Sequence, residues 1–466
     1  MRSSLLFGPL LSLALSATPA RADDVLLQQT LAVTLGGQEV GTMEALDVKS
    51  ASGTTLSRVT KLSVQRGATT NDMTTETVVK LAPDGAPVSY RYTRTDKSGS
   101  LVTEGRLAGD KLELVTTQNG AKVKNSIPVP AGSTFALALE HETRTHLKDG
   151  VTLDKSVVLE EMGAPVAMKV TIKKKGAGFL ISSTFASLTT DEEVDAGGRT
   201  VVARTPAVGI VAYPIGRAPA DLGTGTADLL ALSTWVTKDV GTPASRVRYR
   251  VTTSDAAAFV VPEDDRQRVT KRTATTIDIE VTSGVSSKAP LDDAKRKKAL
   301  AATPYEAIDD PRIKSTAAAV TKGAKGKKDE VARLVRFVFE HVEQKGLDRG
   351  YAPAVATLES KAGDCTEHSV LLSALLRARG IPTRLVDGVV VDQTRAGYHE
   401  WVEVYLDGEG FIAADPTFGV FPAGPERLKL AEGSTWPDEH VVLSLAAARL
   451  LKPGTRVDVL ETAPAR

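Results

Sequence analysis

The strongest constraint on this chain is a predicted helix start that carries its single cysteine, Cys365. Asp364, directly before it, is a good N-cap residue, and Glu367 stands where it can complete a capping box. Apolar residues then occupy most positions around the predicted helix until Gly380 and Pro382 end it. A helix with this pattern is typical of the centre of a domain. The sequence therefore places the cysteine at the mouth of a buried element.

The position of Cys365 favours a reactive thiol. A helix N-terminus presents unpaired backbone N–H groups and the positive end of the helix dipole, and both stabilise thiolate over thiol. The alternative is a small buried side chain without chemistry, which is common for a single cysteine. His368 follows one helical turn later and is within reach of the thiol, but the pattern offers it no carboxylate partner.

A second histidine lies in a predicted β-hairpin further along the chain. Residues 398–406 and 410–415 form its strands. If the register is centred on Gly408, Asp415 is the diagonal neighbour of His399 on the same face. A carboxylate beside an imidazole fixes the tautomer of the ring and holds it as a base towards a neighbouring thiol. The hairpin therefore strengthens the interpretation of the cysteine as a nucleophile.

Three ordered motifs carry a family resemblance. They read Gly363-Asp364-Cys365, His399-Glu400-Trp401-Val402-Glu403 and Asp415-Pro416-Thr417. This combination resembles the transglutaminase-like superfamily, a branch of the papain-like fold, and the resemblance covers about the last third of the chain. It implies an α+β C-terminal domain in which Cys365 is the nucleophile, His399 the general base and acid, and Asp415 the carboxylate that orients the histidine.

Several aromatic residues near these motifs are candidates for substrate contact. Trp401 shares a strand face with His399, although a core tryptophan is an equal alternative. Tyr398 precedes the histidine and is a possible oxyanion donor. Tyr351 lies in a predicted loop, 346–361, which leads into the cysteine helix. Animal members of the superfamily use calcium, but the chain has no acidic loop with EF-hand spacing, so we predict no metal and no cofactor.

The first 22 residues read as a cleavable signal peptide, with a basic start, a short apolar run over 5–15 and a small-residue end at Ala20-Arg21-Ala22. No later segment approaches the roughly 20 apolar residues that a membrane-spanning helix needs. The residue directly after the predicted cleavage site is Asp23 and not a cysteine, which argues against a lipid anchor. We therefore expect an exported protein, periplasmic or secreted, without an integral membrane segment once the signal is removed.

The charge of the chain is balanced, with 58 Lys and Arg against 57 Asp and Glu. No net field attracts nucleic acid or an anionic membrane. We expect no nucleic-acid partner. The sequence contains no indication of an oligomeric state.

The pattern along the chain predicts an α+β protein with three parts after the signal peptide. Residues 23–216 read as an antiparallel β-rich domain, a sandwich or an open barrel, with one possible helix at 134–147. Residues 217–304 read as a small β segment that ends in a linker. Residues 305–466 form the predicted transglutaminase-like domain.

Within this last part the pattern makes two further predictions. Asp329 is expected to cap a helix that packs against the cysteine helix. The apolar runs at 441–443 and 456–460 are expected to complete a sheet.

These features predict thiol-dependent acyl transfer on a carboxamide or a peptide bond of a protein or peptide substrate. Attack on the acyl-enzyme by an amine makes the protein a transglutaminase, and attack by water makes it a peptidase or amidase. An alternative from a different class is a non-catalytic envelope protein that uses the domain to dock peptides in a binding or scaffolding role.

Overall fold

The computed structural model describes residues 24–465, apart from 119, 186, 187, 224, 242, 255, 258, 347–350 and 453. The predicted signal peptide at 1–22 lies outside the described residues. The fold is α+β, as predicted, and begins with an antiparallel sheet that we call the N-terminal sheet. None of the described helices has the length and apolarity that crossing a bilayer requires.

Over the described residues the N-terminal sheet has 15 strands, and one helix follows its ninth strand in the sequence. Its elements are β1 (Asp24–Leu35), β2 (Gln38–Ser50), β3 (Gly53–Arg66), β4 (Thr69–Leu81), β5 (Pro87–Asp96), β6 (Gly99–Ala108), β7 (Lys111–Gln118), β8 (Ala121–Pro128), β9 (Thr134–Phe135), α1 (Ala136–Thr145), β10 (Val151–Leu159), β11 (Ala164–Lys175), β12 (Gly178–Phe185), β13 (Leu188–Val194), β14 (Thr200–Thr205) and β15 (Ile210–Pro214). The spatial order runs from β8 back to β1 and then from β15 back to β9. The two halves join where β1 pairs with β15.

Alternating side chains explain why these segments form strands. In β7, Leu112 and Leu114 are buried while Lys111 and Glu113 are exposed, which is the period of a strand with one covered face. Glycines form many of the tight turns. Gly36, with a φ of +57°, lies so close to a neighbouring segment that an added Cβ would sit 2.3 Å from the Thr226 carbonyl oxygen.

Helix α1 packs against strands of both halves of the sheet. Arg58 of β3 pairs with Glu140 at 2.8 Å, and Arg144 pairs with Glu192 of β13 at 2.7 Å. The helix predicted at 134–147 is thus confirmed. The helix begins after Phe135, and no side chain caps it among the described residues.

The second part of the chain mixes helices and shorter strands. Its elements are α2 (Leu229–Leu232), β16 (Thr234–Val236), β17 (Ala244–Thr252), β18 (Gln267–Arg272), β19 (Thr276–Thr282), β20 (Val285–Ser287), α3 (Asp293–Ala299), α4 (Pro311–Val320), α5 (Lys327–His341), α6 (Ala354–Ser360), α7 (Cys365–Ala378), β21 (Thr383–Asp392), β22 (Arg395–Leu406), β23 (Gly410–Ala414), β24 (Arg427–Gly433), α8 (Pro437–Leu450) and β25 (Arg456–Pro464). The central sheet has the order β20-β23-β22-β21-β24, with β16 also on β22. The outer sheet has the order β18-β19-β17-β25.

One large hydrophobic core spans most of the second part. It extends from Val240 to Val459 and contains buried residues from both sides of the predicted boundary at 304/305. In the outer sheet, Val251 of β17 stands opposite Val457 of β25. We therefore propose that residues from about 217 to 466 form one folding unit, in place of the separate segment 217–304 and domain 305–466 expected from sequence.

Helix α7 lies at the centre of this unit, as predicted. It packs against α4, α5 and α6 and against β21 and β22. Leu371, Leu372, Leu375 and Leu376 have no exposed surface, which places the whole girth of the helix in the core.

Four local predictions in this part are wrong. The helix expected to begin at Asp329 begins after Gly326, and the Asp329 carboxylate instead accepts the Lys325 N–H. The predicted loop 346–361 contains α6, and the predicted linker 283–304 contains β20 and α3. The apolar run at 441–443 belongs to α8, because a run of three apolar residues is too short to define a period. The other predicted run, 456–460, lies in β25.

The proposed folding unit of residues 217–466 predicts how fragments of the chain unfold. A fragment of 305–466 leaves β25 without β17 and removes Tyr249 and Ile279 from the shared core, so we expect no cooperative urea transition. A fragment of 217–466 retains both strands and should unfold cooperatively. Circular dichroism during urea titration distinguishes the two, with the full chain as reference. A cooperative transition of the shorter fragment at the same midpoint as the longer one would restore the boundary at 304/305.

Candidate active site

The start of α7 has the cap that the sequence predicted. The Asp364 Oδ1 atom accepts the Thr366 N–H at 3.0 Å, and the Glu367 carboxylate accepts the Asp364 N–H at 2.8 Å. This reciprocal pair is a capping box. Cys365 is the first residue of the helix, and it is partly exposed.

The edge of β22 that faces α7 is open over a short stretch. On this edge β16 pairs with β22 as far as Gly397, and β23 begins to pair at Val402. Among the described strands, none pairs with 399–401 on this side. The gap arises because β23 ends at Ala414, after which the chain turns back and Asp415 bridges to Val420.

Helix α7 docks onto this open edge. The Ser369 hydroxyl donates to the Glu400 carbonyl oxygen at 3.0 Å. The Glu400 N–H points to the Cys365 sulfur, and this contact favours the thiolate. Because residues four apart share a helix face, Cys365 and Ser369 both meet the backbone of the residue that follows His399. Ser369 was not singled out from sequence, since a serine inside an apolar helix has no pattern that marks it.

His399 and Asp415 form the contact that the hairpin register predicted. Val402 pairs with Ala414 and Leu406 with Gly410, so the register is centred on Gly408. The His399 Nε2 atom lies 2.7 Å from Asp415 Oδ2, and both side chains are buried. A carboxylate only accepts, so Nε2 carries the proton and Nδ1 is the ring nitrogen that can accept one. Among the described residues, none bonds to Nδ1, and the thiol makes no direct hydrogen bond to the ring.

Arg427, at the start of β24, holds the aspartate from the other side. Its Nε atom donates to Asp415 Oδ2 at 2.6 Å. The Asp415 Oδ1 atom accepts the Thr417 and Phe418 N–H groups at 2.9 and 3.3 Å. Burial alone would raise the pKa of Asp415, but the charges of His399 and Arg427 outweigh it and lower this pKa. The aspartate is therefore fixed as an anion. Nothing in the sequence near the hairpin pointed to this arginine.

The surroundings of the thiol oppose ionisation, against the expectation from the helix dipole. Burial is the largest cause of a pKa of Cys365 well above its usual range, and the negative charges of Asp364, Glu400 and Glu367 add to it. The cap that positions the helix thus places a carboxylate beside the sulfur. Burial and these carboxylates therefore oppose the stabilisation of thiolate that the helix start predicts.

A pair of buried carboxyl groups lies beneath the site. Asp387 of β21 stands opposite Glu400 of β22. Burial raises the pKa of Asp387 to about 7 and that of Glu400 well above its usual range, so the two share a proton at lower pH. The Tyr351 hydroxyl donates to Glu400 at 3.2 Å, and the Tyr398 hydroxyl contacts Asp387. The structure therefore places the hydroxyl groups of both predicted substrate tyrosines on this pair.

Two other residues of the motifs are buried. Trp401 is fully buried and packs with Val386, Ala413 and Ala423, which is the packing that the core alternative describes, and its substrate contact stays a prediction. Glu403 is fully buried between Arg384 and Lys429, at 2.6 and 3.0 Å. Burial opposes its ionisation, but these two cations outweigh it and lower the pKa of Glu403 to about 2.

His368 is placed as a supporting residue. Its Nδ1 atom donates to the Asp364 carbonyl oxygen at 2.6 Å, and burial lowers the pKa of His368, so the ring is neutral. It has no carboxylate partner, in line with its lower rank as a base. Within the described residues, no three His, Cys, Asp or Glu side chains are arranged to hold a metal ion.

A match to a family model confirms the resemblance stated from the sequence motifs. Residues 314–416, which include Cys365, His399 and Asp415, match the model described as the transglutaminase-like superfamily. This segment belongs to that superfamily. The match spans α5, α6, α7 and the β21–β23 part of the central sheet, and it leaves the N-terminal sheet outside.

Other proteins are similar to parts of this chain. The uncharacterized protein YebA of Bacillus subtilis (strain 168) is 33% identical over 75 residues, which cover 13% of this chain and 10% of YebA. The chain thus spans about a tenth of this relative's length.

Three solved structures are similar in part. The "Putative Cysteine Protease" from Cytophaga hutchinsonii is 16% identical with a TM-score of 0.31, over 48% of this chain and 82% of that one. The periplasmic domain of TgpA from Pseudomonas aeruginosa is 17% identical with a TM-score of 0.29, over 41% and 78%. A β-barrel-like DUF1849 protein from Brucella abortus is 11% identical with a TM-score of 0.33, over 40% and 94%. At these scores the family assignment rests on the match over 314–416.

The raised pKa of Cys365 predicts the pH dependence of its alkylation. Cys365 is the single cysteine of the chain, so iodoacetamide labelling followed by mass spectrometry reports on it alone. We expect the midpoint of the rate–pH profile to lie above that of a cysteine peptide, at least about one pH unit higher. In urea the midpoint should return to the peptide value. A midpoint below the peptide value would mean that the helix dipole outweighs burial and the carboxylates.

The carboxyl pair predicts a loss of stability as the pH rises. The folded-state pKa of Asp387 lies above the unfolded value, so its contribution is complete below about pH 4 and falls as the pH rises to about 7. Asp387→Asn supplies a permanent N–H to Glu400 and removes this fall. Urea unfolding at pH 5 and pH 8 should show a smaller decrease in the variant, by on the order of 2 kcal/mol. Asp392→Asn, an exposed position on the same strand, is the control. Equal decreases in wild type and Asp387→Asn would contradict the shared proton.

Proposed function

We propose that this protein catalyses thiol-dependent acyl transfer on carboxamide or peptide bonds of a protein or peptide substrate. In this proposal Cys365 is the nucleophile, His399 the general base and acid, and Asp415 the carboxylate that orients the histidine. The observation that carries it is the buried His399–Asp415 pair at 2.7 Å, whose Nδ1 atom has no partner among the described residues, beside a helix that begins with a thiol.

The raised pKa of the thiol sets the order of proton transfer. At neutral pH Cys365 is a thiol, so its proton passes to His399 Nδ1 as the sulfur attacks the carbonyl carbon. A carbon–sulfur bond forms and the carbonyl oxygen becomes an oxyanion. When the carbon–nitrogen bond breaks, the imidazolium returns the proton to the departing amine. The ion pair with Asp415 stabilises the imidazolium between these two steps.

The acyl-enzyme then reacts with a second nucleophile. His399 removes a proton from water or from a primary amine, which attacks the thioester carbon and releases the Cys365 thiol. Water makes the protein a peptidase or amidase, and an amine makes it a transglutaminase. The Cys365 N–H lies in the first turn of α7, where the helix has no acceptor for it, and we assign it as an oxyanion donor.

The proposal places this reaction outside the cytoplasm. The support is the leader pattern over residues 1–22, which has the basic, apolar and small-residue regions of a signal peptide. The function does not depend on this location.

The proposed roles are tested with a glutamine-bearing peptide, incubated with and without a primary amine and followed by mass spectrometry. We expect Cys365→Ala to abolish product formation and His399→Ala to reduce the rate by roughly 10²- to 10⁴-fold. Asp415→Asn should also reduce it, because the asparagine no longer stabilises the imidazolium. His146→Ala, an exposed histidine in the N-terminal part, is the matched control.

The products separate the alternatives. A mass gain equal to the amine minus ammonia identifies a transferase, because the glutamine side chain releases ammonia as it takes up the amine, whereas cleavage or deamidation identifies a hydrolase. Full activity in His399→Ala would remove the histidine from the mechanism. Peptide binding without any product in the wild type, across a panel of peptides, would favour the non-catalytic docking role.

A further inference from the structure

The β3–β4 hairpin of the N-terminal sheet reaches the candidate active site. Arg66, the last residue of β3, lies at the tip of the β3–β4 hairpin. Its Nη2 atom is 2.9 Å from the Oδ2 atom of Asp364, the residue directly before Cys365. The two side chains are 24% and 8% exposed, so the ion pair is largely shielded from water. The contact joins residues 298 positions apart in the sequence.

The hairpin tip is anchored on the second part of the chain. The Gly67 N–H donates to the Asp228 carboxylate at 2.9 Å, and that carboxylate also caps α2. On the next hairpin, Arg94 of β5 donates to the Tyr351 carbonyl oxygen at 3.0 Å. These contacts fix the position of the hairpin from which the Arg66 side chain extends to the start of α7.

The two oxygens of the Asp364 carboxylate bind different partners. Its Oδ1 atom accepts the Thr366 N–H and the Thr366 hydroxyl at 3.0 and 2.9 Å, which caps α7. Its Oδ2 atom accepts Arg66. The guanidinium therefore neutralises the carboxylate without competing for the oxygen that caps the helix.

The neutralisation of Asp364 matters because the other groups that act on the thiol carry no positive charge. They are Glu367 on α7, and Glu400 and Tyr398 on β22. Each negative charge here opposes loss of the thiol proton. A cation on Asp364 offsets one of them.

We propose that Arg66 is a positioning residue of the candidate active site, which holds the Asp364 carboxylate and offsets its charge beside the Cys365 thiol. The N-terminal sheet then takes part in setting the reactivity of that thiol. The catalytic meaning of this rests on the proposed function, but the effect on the thiol can be measured without turnover.

The test compares the alkylation–pH profile of Cys365 in full-length variants. Arg66→Ala should raise the midpoint by roughly half to one pH unit, which slows alkylation about three- to tenfold at a fixed pH below the midpoint. Arg66→Lys keeps the charge and should recover most of the rate. Arg91→Ala removes an exposed arginine of the same sheet that pairs with Glu104, and it should leave the profile unchanged.

A double substitution separates charge from packing. Asparagine caps a helix as well as aspartate does, so Asp364→Asn removes the charge and retains the cap. In the Asp364→Asn background, Arg66→Ala should no longer shift the midpoint. An equal shift in both backgrounds, or no shift in either, would overturn the proposal.

Salt tests the same coupling in the unaltered protein. The Arg66 side chain is partly exposed, so added NaCl weakens its effect on Asp364. The midpoint of the wild type should rise with salt towards that of Arg66→Ala, or of Arg66→Gln if the alanine variant does not fold. A salt response of equal size in the variant would overturn the proposal. The two proposals can fail separately. If Arg66→Ala shifts the alkylation midpoint but the protein shows no acyl transfer, the proposed function is contradicted and the role of Arg66 stands.

Discussion

The open edge of β22 is the constraint on which the candidate site depends. Backbone groups at a sheet edge need partners when they are buried, and over 399–401 no described strand supplies them. Helix α7 meets this need through Ser369, and its first residue, Cys365, is placed against the Glu400 N–H by the same docking. The turn that ends β23 opens the edge. The same turn carries Asp415 to the neighbouring His399.

Carboxyl groups on the two faces of β22 differ in their ionisation. On the face with His399, Glu403 lies between two cations and remains an anion even in acid. On the other face, Glu400 meets a second carboxyl group and two tyrosines and retains a proton. The thiol borders this protonated face. Successive side chains of β22 point to opposite faces. This alternation keeps the neutral thiol on the side of the protonated carboxyl groups and the ionised Asp415 on the side of His399.

The parts of the fold and site that could be predicted are those set by local pattern. The capping box at Cys365 and the hairpin register at Gly408 depend on residues a few positions apart, and both are present. Arg66 and Arg427 could not be predicted, because they reach the site from strands whose placement no local pattern fixes. The groups that oppose ionisation of the thiol could not be predicted for a related reason. The dipole is visible in a helix start, whereas the burial of the thiol and the approach of Glu400 appear only when the strands are assembled.

The pairing of β17 with β25 sets an order of events during folding. The N-terminal sheet uses strands up to Pro214 and can form as a unit before the second part is complete. The core that holds α7 also needs Val457 and Val459, which lie far along the chain from the cysteine helix. The sulfur therefore gains its full set of native neighbours only after this distant strand joins the core, when the hairpin that carries Arg66 can already be in place to receive it.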